Sequence, residues 1–272
     1  MNYQTNLRGG LGMHVYILTD MEGVSLVTKW EQVQQGHPFY AKYQPVLTAE
    51  VNAAIEGAFA AGATRVVVND GHGSADYNLL WDRLDPRAEL ERPDSASNIF
   101  PGMDETFHAM LMIGYHSMEG TPNAVMPHTQ SHTNVLYYEI NGRKIGEIGQ
   151  MALIAGGYGV PVAYVSGDAA AVAEARQFLG EDLPATIVKQ GHANGGATSL
   201  HPNEAAKRIR RDVEAALALS RRDSFVIPGP YEVKCAFKSK ALADERAGQP
   251  GVERIDELTT SRTVTSVKAI LT

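Results

Sequence analysis

The sequence predicts an α/β protein: a three-layer sandwich with a mainly parallel sheet, followed by a smaller C-terminal α+β part. Short apolar runs rich in β-branched residues alternate with alanine-rich helical segments, which is typical of βαβ units around a parallel sheet. The last third of the chain instead alternates apolar and polar residues, as half-buried strands do.

The elements follow in order along the chain. Apolar runs predict strands of the parallel sheet at residues 15–19, 65–69, 109–114 and 162–166. Apolar residues at helical spacing, with capping residues at their ends, predict helices at 48–61, 169–179 and 203–222. Alternating patterns predict strands at 232–238 and 263–269. We therefore expect a catalytic α/β domain at 13–185, a smaller α+β domain at 186–272, and an extension or tag at 1–12.

The composition narrows the classes of function. The 272 residues include 24 Lys and Arg against 31 Asp and Glu, and this net charge of −7 argues against a nucleic-acid-binding protein. A single cysteine, Cys235, excludes an internal disulfide. No apolar run reaches the ~18 residues of a membrane helix, and the first residues lack the apolar segment of a signal peptide. We expect a cytoplasmic protein with no membrane partner.

Potential metal ligands follow three of the predicted strands. Asp20 and Glu22 follow the first, His72 follows the second, and His116 follows the third. Because the carboxyl ends of parallel strands lie along one edge of a sheet, these side chains are expected to converge there. Carboxylates and imidazoles without thiols form a ligand set that suits zinc or another divalent first-row metal.

Two further segments add candidates. His128 and His132 lie in a long polar segment, 118–134, of the kind that compact domains use as a binding loop. A histidine there can act as an acid or base or can stabilise an oxyanion. Glu147 lies among apolar residues and glycines, so it is either a buried ligand or a capping group.

Several motifs in a fixed order resemble one known family, the zinc-dependent D-aminopeptidases associated with bacterial dipeptide-transport operons. Their order and spacing agree over roughly residues 13–190, with weaker similarity beyond. The matching segments are D-M-E-G (20–23), V-N-D-G-H (68–72), L-M-I-G-Y-H (111–116), T-P…V-M-P-H (121–128), I-G-E-I-G (145–149) and V-S-G-D (165–168).

The resemblance implies a dinuclear site with two zinc ions per chain, other divalent metals being possible. In it, Asp20 would bridge both ions, Glu22 and His72 would complete one coordination sphere, and His116 and Glu147 the other. His128 corresponds to the family's catalytic histidine, as a proton donor or an oxyanion stabiliser. The family also implies a homo-oligomer, with a ring as the expected form.

The leading hypothesis is therefore an aminopeptidase that hydrolyses small peptides, with an N-terminal D-amino acid, by a metal-activated water. Asp70 is a candidate partner that orients a ligand histidine, since metal-bound imidazoles usually donate their other N–H. Two alternatives remain open. One is another dinuclear metallohydrolase, an amidase or a phosphoesterase, and the other is a non-catalytic peptide-binding protein.

Overall fold

The fold is given by a computed structural model that describes residues 12–73 and 76–271. The predicted extension at 1–12 lies outside the described residues apart from Gly12. The strands are β1 (Met13–Thr19), β2 (Ala63–Asp70), β3 (Glu89–Glu91), β4 (Ala109–Tyr115), β5 (Val135–Ile140), β6 (Arg143–Lys144), β7 (Val162–Asp168), β8 (Ala185–Gly191), β9 (Ala197–Ser199), β10 (Tyr231–Phe237), β11 (Glu253–Arg254) and β12 (Thr259–Val264). The helices are α1 (Tyr40–Ala60), α2 (Glu147–Gly156), α3 (Ala169–Leu179), α4 (Pro202–Ala218) and α5 (Lys240–Ala247).

A seven-stranded sheet forms the centre of the described chain, in the order β3-β2-β1-β4-β7-β8-β9. Its neighbouring strands are parallel, except that β9 runs antiparallel to β8. β1 lies between β2 and β4, so the carboxyl ends of these three strands share one edge. The predicted fold class, with its mainly parallel sheet, is confirmed.

The two faces of this sheet bury different side chains, because successive residues of a strand point to opposite sides. On β1, Val15 and Ile17 join a core with α1 and α4, whereas Tyr16 and Leu18 join a core with α2 and α3. The second core also contains Val233 from a smaller antiparallel sheet, ordered β11-β12-β10-β5-β6. The result is three layers with the smaller sheet on the α2 side.

The two sheets do not divide at residue 186. β8, β9 and α4 belong with the large sheet although they follow or span that boundary, and β5 and β6 belong with the small sheet although they precede it. As a division into units that fold independently, the boundary between 13–185 and 186–272 stays a prediction. No helix among the described residues combines the length and apolar character needed to cross a membrane.

Three predicted elements need correction. The strand expected at 263–269 is β12, four residues earlier, because Thr260 pairs with Cys235 and a short 3-10 helix capped by Ser266 follows. The helix expected at 48–61 begins at Tyr40, since α1 continues through Pro45, a residue that weakens a helical pattern. The helix expected at 203–222 is α4, which ends at Ala218. Several observed elements were not predicted: α2, which is apolar on nearly all sides, and also α5, β3, β5, β6, β8, β9 and β11.

Gly114 allows the loop after β1 to close against β4. Asp20 N–H donates to the carbonyl of Ile113 at 2.8 Å, and Gly23 N–H donates to the carbonyl of Gly114 at 2.7 Å. Gly114 has a φ of +76°, and a Cβ at this position would lie 2.2 Å from the carbonyl oxygen of Asp20. Only glycine fits both this backbone conformation and this close approach.

Substitution Gly114→Ala is expected to lower the free energy of unfolding by about 3 kcal/mol or more, since steric overlap adds to the strain of a positive φ. Gly36→Ala is the matched control. Its φ is +83° but no atom lies within 4 Å of the added Cβ, so a loss of about 1 kcal/mol is expected. Urea unfolding of both variants measures the difference. Equal losses would contradict this account of Gly114.

Candidate metal centre

The edge formed by the ends of β1, β2 and β4 gathers the predicted ligands into two groups. The first group consists of Asp20, Glu22 and His72. The second group consists of His116, His128 and Glu147. Within each group, one potential ligand atom from each residue lies within 4.8 Å of the others. The site residues predicted from the sequence therefore lie close together in the fold.

In the first group, both carboxylates face one imidazole nitrogen. His72 Nδ1 lies 2.9 Å from Asp20 Oδ1 and 3.0 Å from Glu22 Oε2. Asp20 and Glu22 are 6% and 3% exposed, so water screens these charges little. The three side chains together form a small, anionic, nitrogen- and oxygen-lined pocket.

In the second group, Glu147 faces two imidazoles. Its Oε1 lies 3.5 Å from His116 Nε2 and 3.7 Å from His128 Nε2. The His116 and His128 rings are stacked, with centroids 3.8 Å apart and planes inclined by 15°. His128 was expected to be a catalytic residue, but its position beside His116 and Glu147 would also allow it to bind a metal ion.

Asp20 connects the two groups through its two carboxylate oxygens. Oδ1 faces His72 of the first group, and Oδ2 lies 3.2 Å from His116 Nε2 of the second. A carboxylate with one oxygen toward each group is the arrangement that a bridging ligand requires.

Each of the three imidazoles is oriented by a backbone carbonyl. His72 Nε2 contacts the carbonyl of Val33 at 2.9 Å, His116 Nδ1 that of Ser117 at 2.9 Å, and His128 Nδ1 that of Met126 at 3.1 Å. A carbonyl only accepts hydrogen bonds, so these nitrogens carry the protons. The other nitrogen of each ring then presents its lone pair to the carboxylates when the ring is neutral.

The side chains fit a divalent metal. Among the described residues, the buried atoms Glu22 Oε2 and His116 Nε2 have no hydrogen-bond partner, although each lies close to the opposite member of a carboxylate–imidazole pair. Buried polar atoms without partners are costly unless something satisfies them. Imidazole nitrogen and carboxylate oxygen are the donors that zinc prefers when thiolates are absent.

The electrostatics lead to the same conclusion. Burial disfavours charge on His72, but the facing carboxylates of Glu22 and Asp20 outweigh it and raise the pKa of the imidazole well above its ordinary value. The pKa of His116 is raised in the same way, against burial, by Glu147 and Asp20. Burial also opposes ionisation of Asp20, yet the two imidazoles hold the pKa of its carboxyl well below its usual range. The site attracts positive charge, whether carried by protons or by a cation.

Glu147 is the first residue of α2, with Gly146 as its N-cap. A carboxylate in the first helical turn is stabilised by the helix dipole. Glu147 Oε1 also accepts a hydrogen bond from Gln130 N–H at 2.7 Å. Burial raises the pKa of the carboxyl, but His116 and His128 bring it below its ordinary value.

The segment 118–134 carries His128 and is held by buried carboxylates. Val125 N–H donates to Asp168 Oδ2 at 2.8 Å, while Asp168 Oδ1 caps α3. Met118 N–H donates to Glu174 Oε2 at 2.6 Å, and burial raises the pKa of Glu174 to about 7. Glu174 was not predicted, because a single glutamate inside an alanine-rich helix carries no local signal.

Asp70 has a different role from the one expected. Its carboxylate accepts hydrogen bonds from the side chain and backbone of Asn78 and from Leu79 N–H, at 2.6 to 2.9 Å. Asn78 in turn donates to the carbonyl of His72 at 2.6 Å. Asp70 therefore supports the loop of His72, whereas the carbonyl of Val33 orients the imidazole itself.

A cavity of about 600 Å³ opens over both groups. Trp30 and the predicted candidate His132 form an aromatic wall beside His128: the Trp30 and His132 rings stack at 3.9 Å, and Trp30 meets the His128 ring edge-on at 5.2 Å. Trp30 was not predicted, since its closeness to His132 depends on tertiary structure. The wall gives the cavity one apolar side.

The chain resembles known proteins in both sequence and fold. The profile of the Peptidase M55 family, described as D-aminopeptidase, matches residues 13–272. The chain is 34% identical over 212 residues to the D-aminopeptidase of Bacillus subtilis (strain 168), covering 78% of this chain and 75% of that protein. A solved structure, the Zn-dependent D-aminopeptidase DppA from Bacillus subtilis, described as a self-compartmentalizing protease, matches with a TM-score of 0.89. It is 29% identical, and the match covers 95% of this chain and 94% of that chain.

The match to the family profile spans the sheet edge and both groups of candidate ligands. The family resemblance inferred from the motifs is confirmed, and so is the predicted class of enzyme, a metallo-aminopeptidase. The chain belongs to the Peptidase M55 family of D-aminopeptidases.

Proposed function

We propose that the protein is a dinuclear zinc aminopeptidase that hydrolyses small peptides bearing an N-terminal D-amino acid. The observation that carries the proposal is the position of Asp20, with one oxygen toward His72 and the other toward His116. In this proposal Glu22 and His72 would hold one zinc ion, His116 and Glu147 would hold the other, and Asp20 would be a ligand shared by both. The zinc dependence stated for the related structure supports the choice of metal.

The cavity suits a small peptide. At about 600 Å³ it has room for a few residues, and its walls combine Trp30, Ile99 and Met151 with polar groups such as Ser131 and Gln130. Among the described residues that line it, none is Lys or Arg. Phosphate-ester sites usually rely on such cations, so this lining favours a peptide over a phosphoester.

Without metal, the carboxylates of the two groups give the cavity a negative potential, which attracts divalent cations. Zinc ions bound by these groups supply Lewis-acid chemistry, polarising the scissile carbonyl and making water a better nucleophile at neutral pH. His128 presents Nε2 toward the same space while Met126 holds Nδ1. From there it can give a proton to the leaving amine or stabilise the developing oxyanion.

The family supports the remaining parts of the proposal. Its description as D-aminopeptidase supports a preference for an N-terminal D-amino acid. The related structure is described as a self-compartmentalizing protease, which supports a homo-oligomer for this chain, with a ring as one form that encloses a compartment. A cytoplasmic location stays a prediction.

Removing one ligand of the second group tests the metal site. His116→Ala is expected to lose at least one equivalent of zinc and to reduce peptide hydrolysis by more than about 10³-fold, since the metal provides most of the catalysis. Elemental analysis with the peptidase assay gives both values. His192→Ala is the control, because His192 lies in an exposed turn and contacts Thr198 instead. Full activity of the His116 variant without zinc would refute the proposed site.

The role of His128 is separable from that of a ligand. His128→Ala is expected to retain two equivalents of zinc while kcat falls about 10²- to 10⁴-fold, the usual contribution of an acid–base residue. Zinc stoichiometry and steady-state kinetics are measured on the same preparation. If the variant instead loses an ion together with activity, His128 is a ligand of the second group.

The substrate class is tested by stereochemistry and by leaving group. On the zinc-loaded protein, D-alanyl-D-alanine is expected to give a kcat/KM at least about 10-fold above that of L-alanyl-L-alanine, because chirality alters several pocket contacts. An aryl phosphate is expected to give no turnover. Preference for the L-dipeptide would contradict the proposed specificity, and hydrolysis of the phosphate alone would favour the phosphoesterase alternative.

A further inference from the structure

A buried lysine lies directly beneath the loop that carries Glu22. Lys189, on β8, is 2% exposed. Its ammonium donates hydrogen bonds to three backbone carbonyls of that loop: to Glu22, to Val24 at 2.8 Å and to Val27 at 2.5 Å. An ammonium has three N–H donors, so every one of them is used within a single loop.

Other buried or strand-borne groups hold the same loop. Glu50 of α1, fully buried, accepts a hydrogen bond from Ser25 N–H at 2.9 Å. Ser199 of β9 accepts one from Leu26 N–H at 2.9 Å, and Leu26 has a φ of +63° although it is not a glycine. A non-glycine residue keeps such a conformation only where its surroundings fix it. The loop between residues 22 and 27 therefore depends on these anchors.

We propose that Lys189 is a positioning residue for the first metal group, acting through the backbone of Glu22. The ammonium holds the carbonyl of the same residue whose carboxylate faces His72. No carboxylate lies within 4.0 Å of the Lys189 ammonium among the described residues, so its direct partners are the three carbonyl oxygens, while Asp168, Glu50 and Glu22 favour its charge from a greater distance. Lys189 therefore acts on Glu22 by fixing the backbone conformation of the loop.

Lys189 is expected to affect the first metal group more than the second, because of where its contacts are made. Lys189 bonds to the loop after β1, whereas the second group is held by other elements: Met118 is bonded to Glu174, and Glu147 begins α2. Loss of the lysine should displace the Glu22 carboxylate and leave His116 and Glu147 in place. A residue that supports one ligand in this way typically changes metal affinity by about 10- to 100-fold.

The inference rests on the proposed zinc function, and its test uses zinc ions alone. Metal-free protein is titrated with zinc by calorimetry, and His72→Ala identifies the binding phase of the first group. Lys189→Met is expected to weaken that phase about 10- to 100-fold and to leave the other phase within threefold. Thr186→Val is the matched control on β8: it removes the bond to Asp212, at 2.6 Å, without touching the loop. It should leave both phases unchanged.

Unchanged affinity in both phases of Lys189→Met overturns the inference, and so does an equal weakening of both. Should that variant fail to fold, Lys189→Gln, which keeps an N–H donor, takes its place with the same criteria. If the wild-type chain binds one ion only, the two-ion part of the proposed function fails, while a tenfold loss for that ion in the lysine variant still supports Lys189 as its positioning residue. A wild-type chain that binds no zinc contradicts both.

Discussion

The site depends on one carboxylate that is shared by two imidazoles. Asp20 can face His72 and His116 together only because β1 lies between β2 and β4, with all three strands ending at the same edge. Hydrogen bonds from the loop after β1 to Ile113 and Gly114 hold that edge closed. The order of strands thus brings the two groups of candidate ligands together, since any other neighbour of β1 would separate them.

Elements that come later in the sequence hold the loops on which the candidate ligands lie. β8 provides Lys189 under the Glu22 loop, and α3 provides Glu174 at the start of the segment that carries His128. The small sheet contributes as well, because Lys238, just after β10, donates to the carbonyl of His132 at 2.7 Å. Charged side chains bonded to backbone groups position these loops, Lys189 and Glu174 from buried sites, whereas the candidate ligands remain available to bind cations.

The convergence of the candidate ligands at strand ends was predictable because apolar runs locate strands, and parallel topology then places their ends together. Glu147 was found as a residue but not as the start of a helix, because α2 is buried on nearly every side and has no polar face to reveal its period. The supports could not be predicted. The carbonyl of Val33 and the ammonium of Lys189 act across 39 and 167 residues, and no local pattern encodes such distances. β12 was misplaced since its start depends on pairing with β10.

The central claim is that Asp20 bridges two zinc ions. Crystals of the zinc-loaded protein, measured at wavelengths on either side of the zinc absorption edge, locate zinc directly by its anomalous scattering. The account predicts two peaks per chain, one beside Glu22 and His72 and the other beside His116 and Glu147, with the Asp20 carboxylate between them. A single peak, or peaks that Asp20 does not contact, would contradict it.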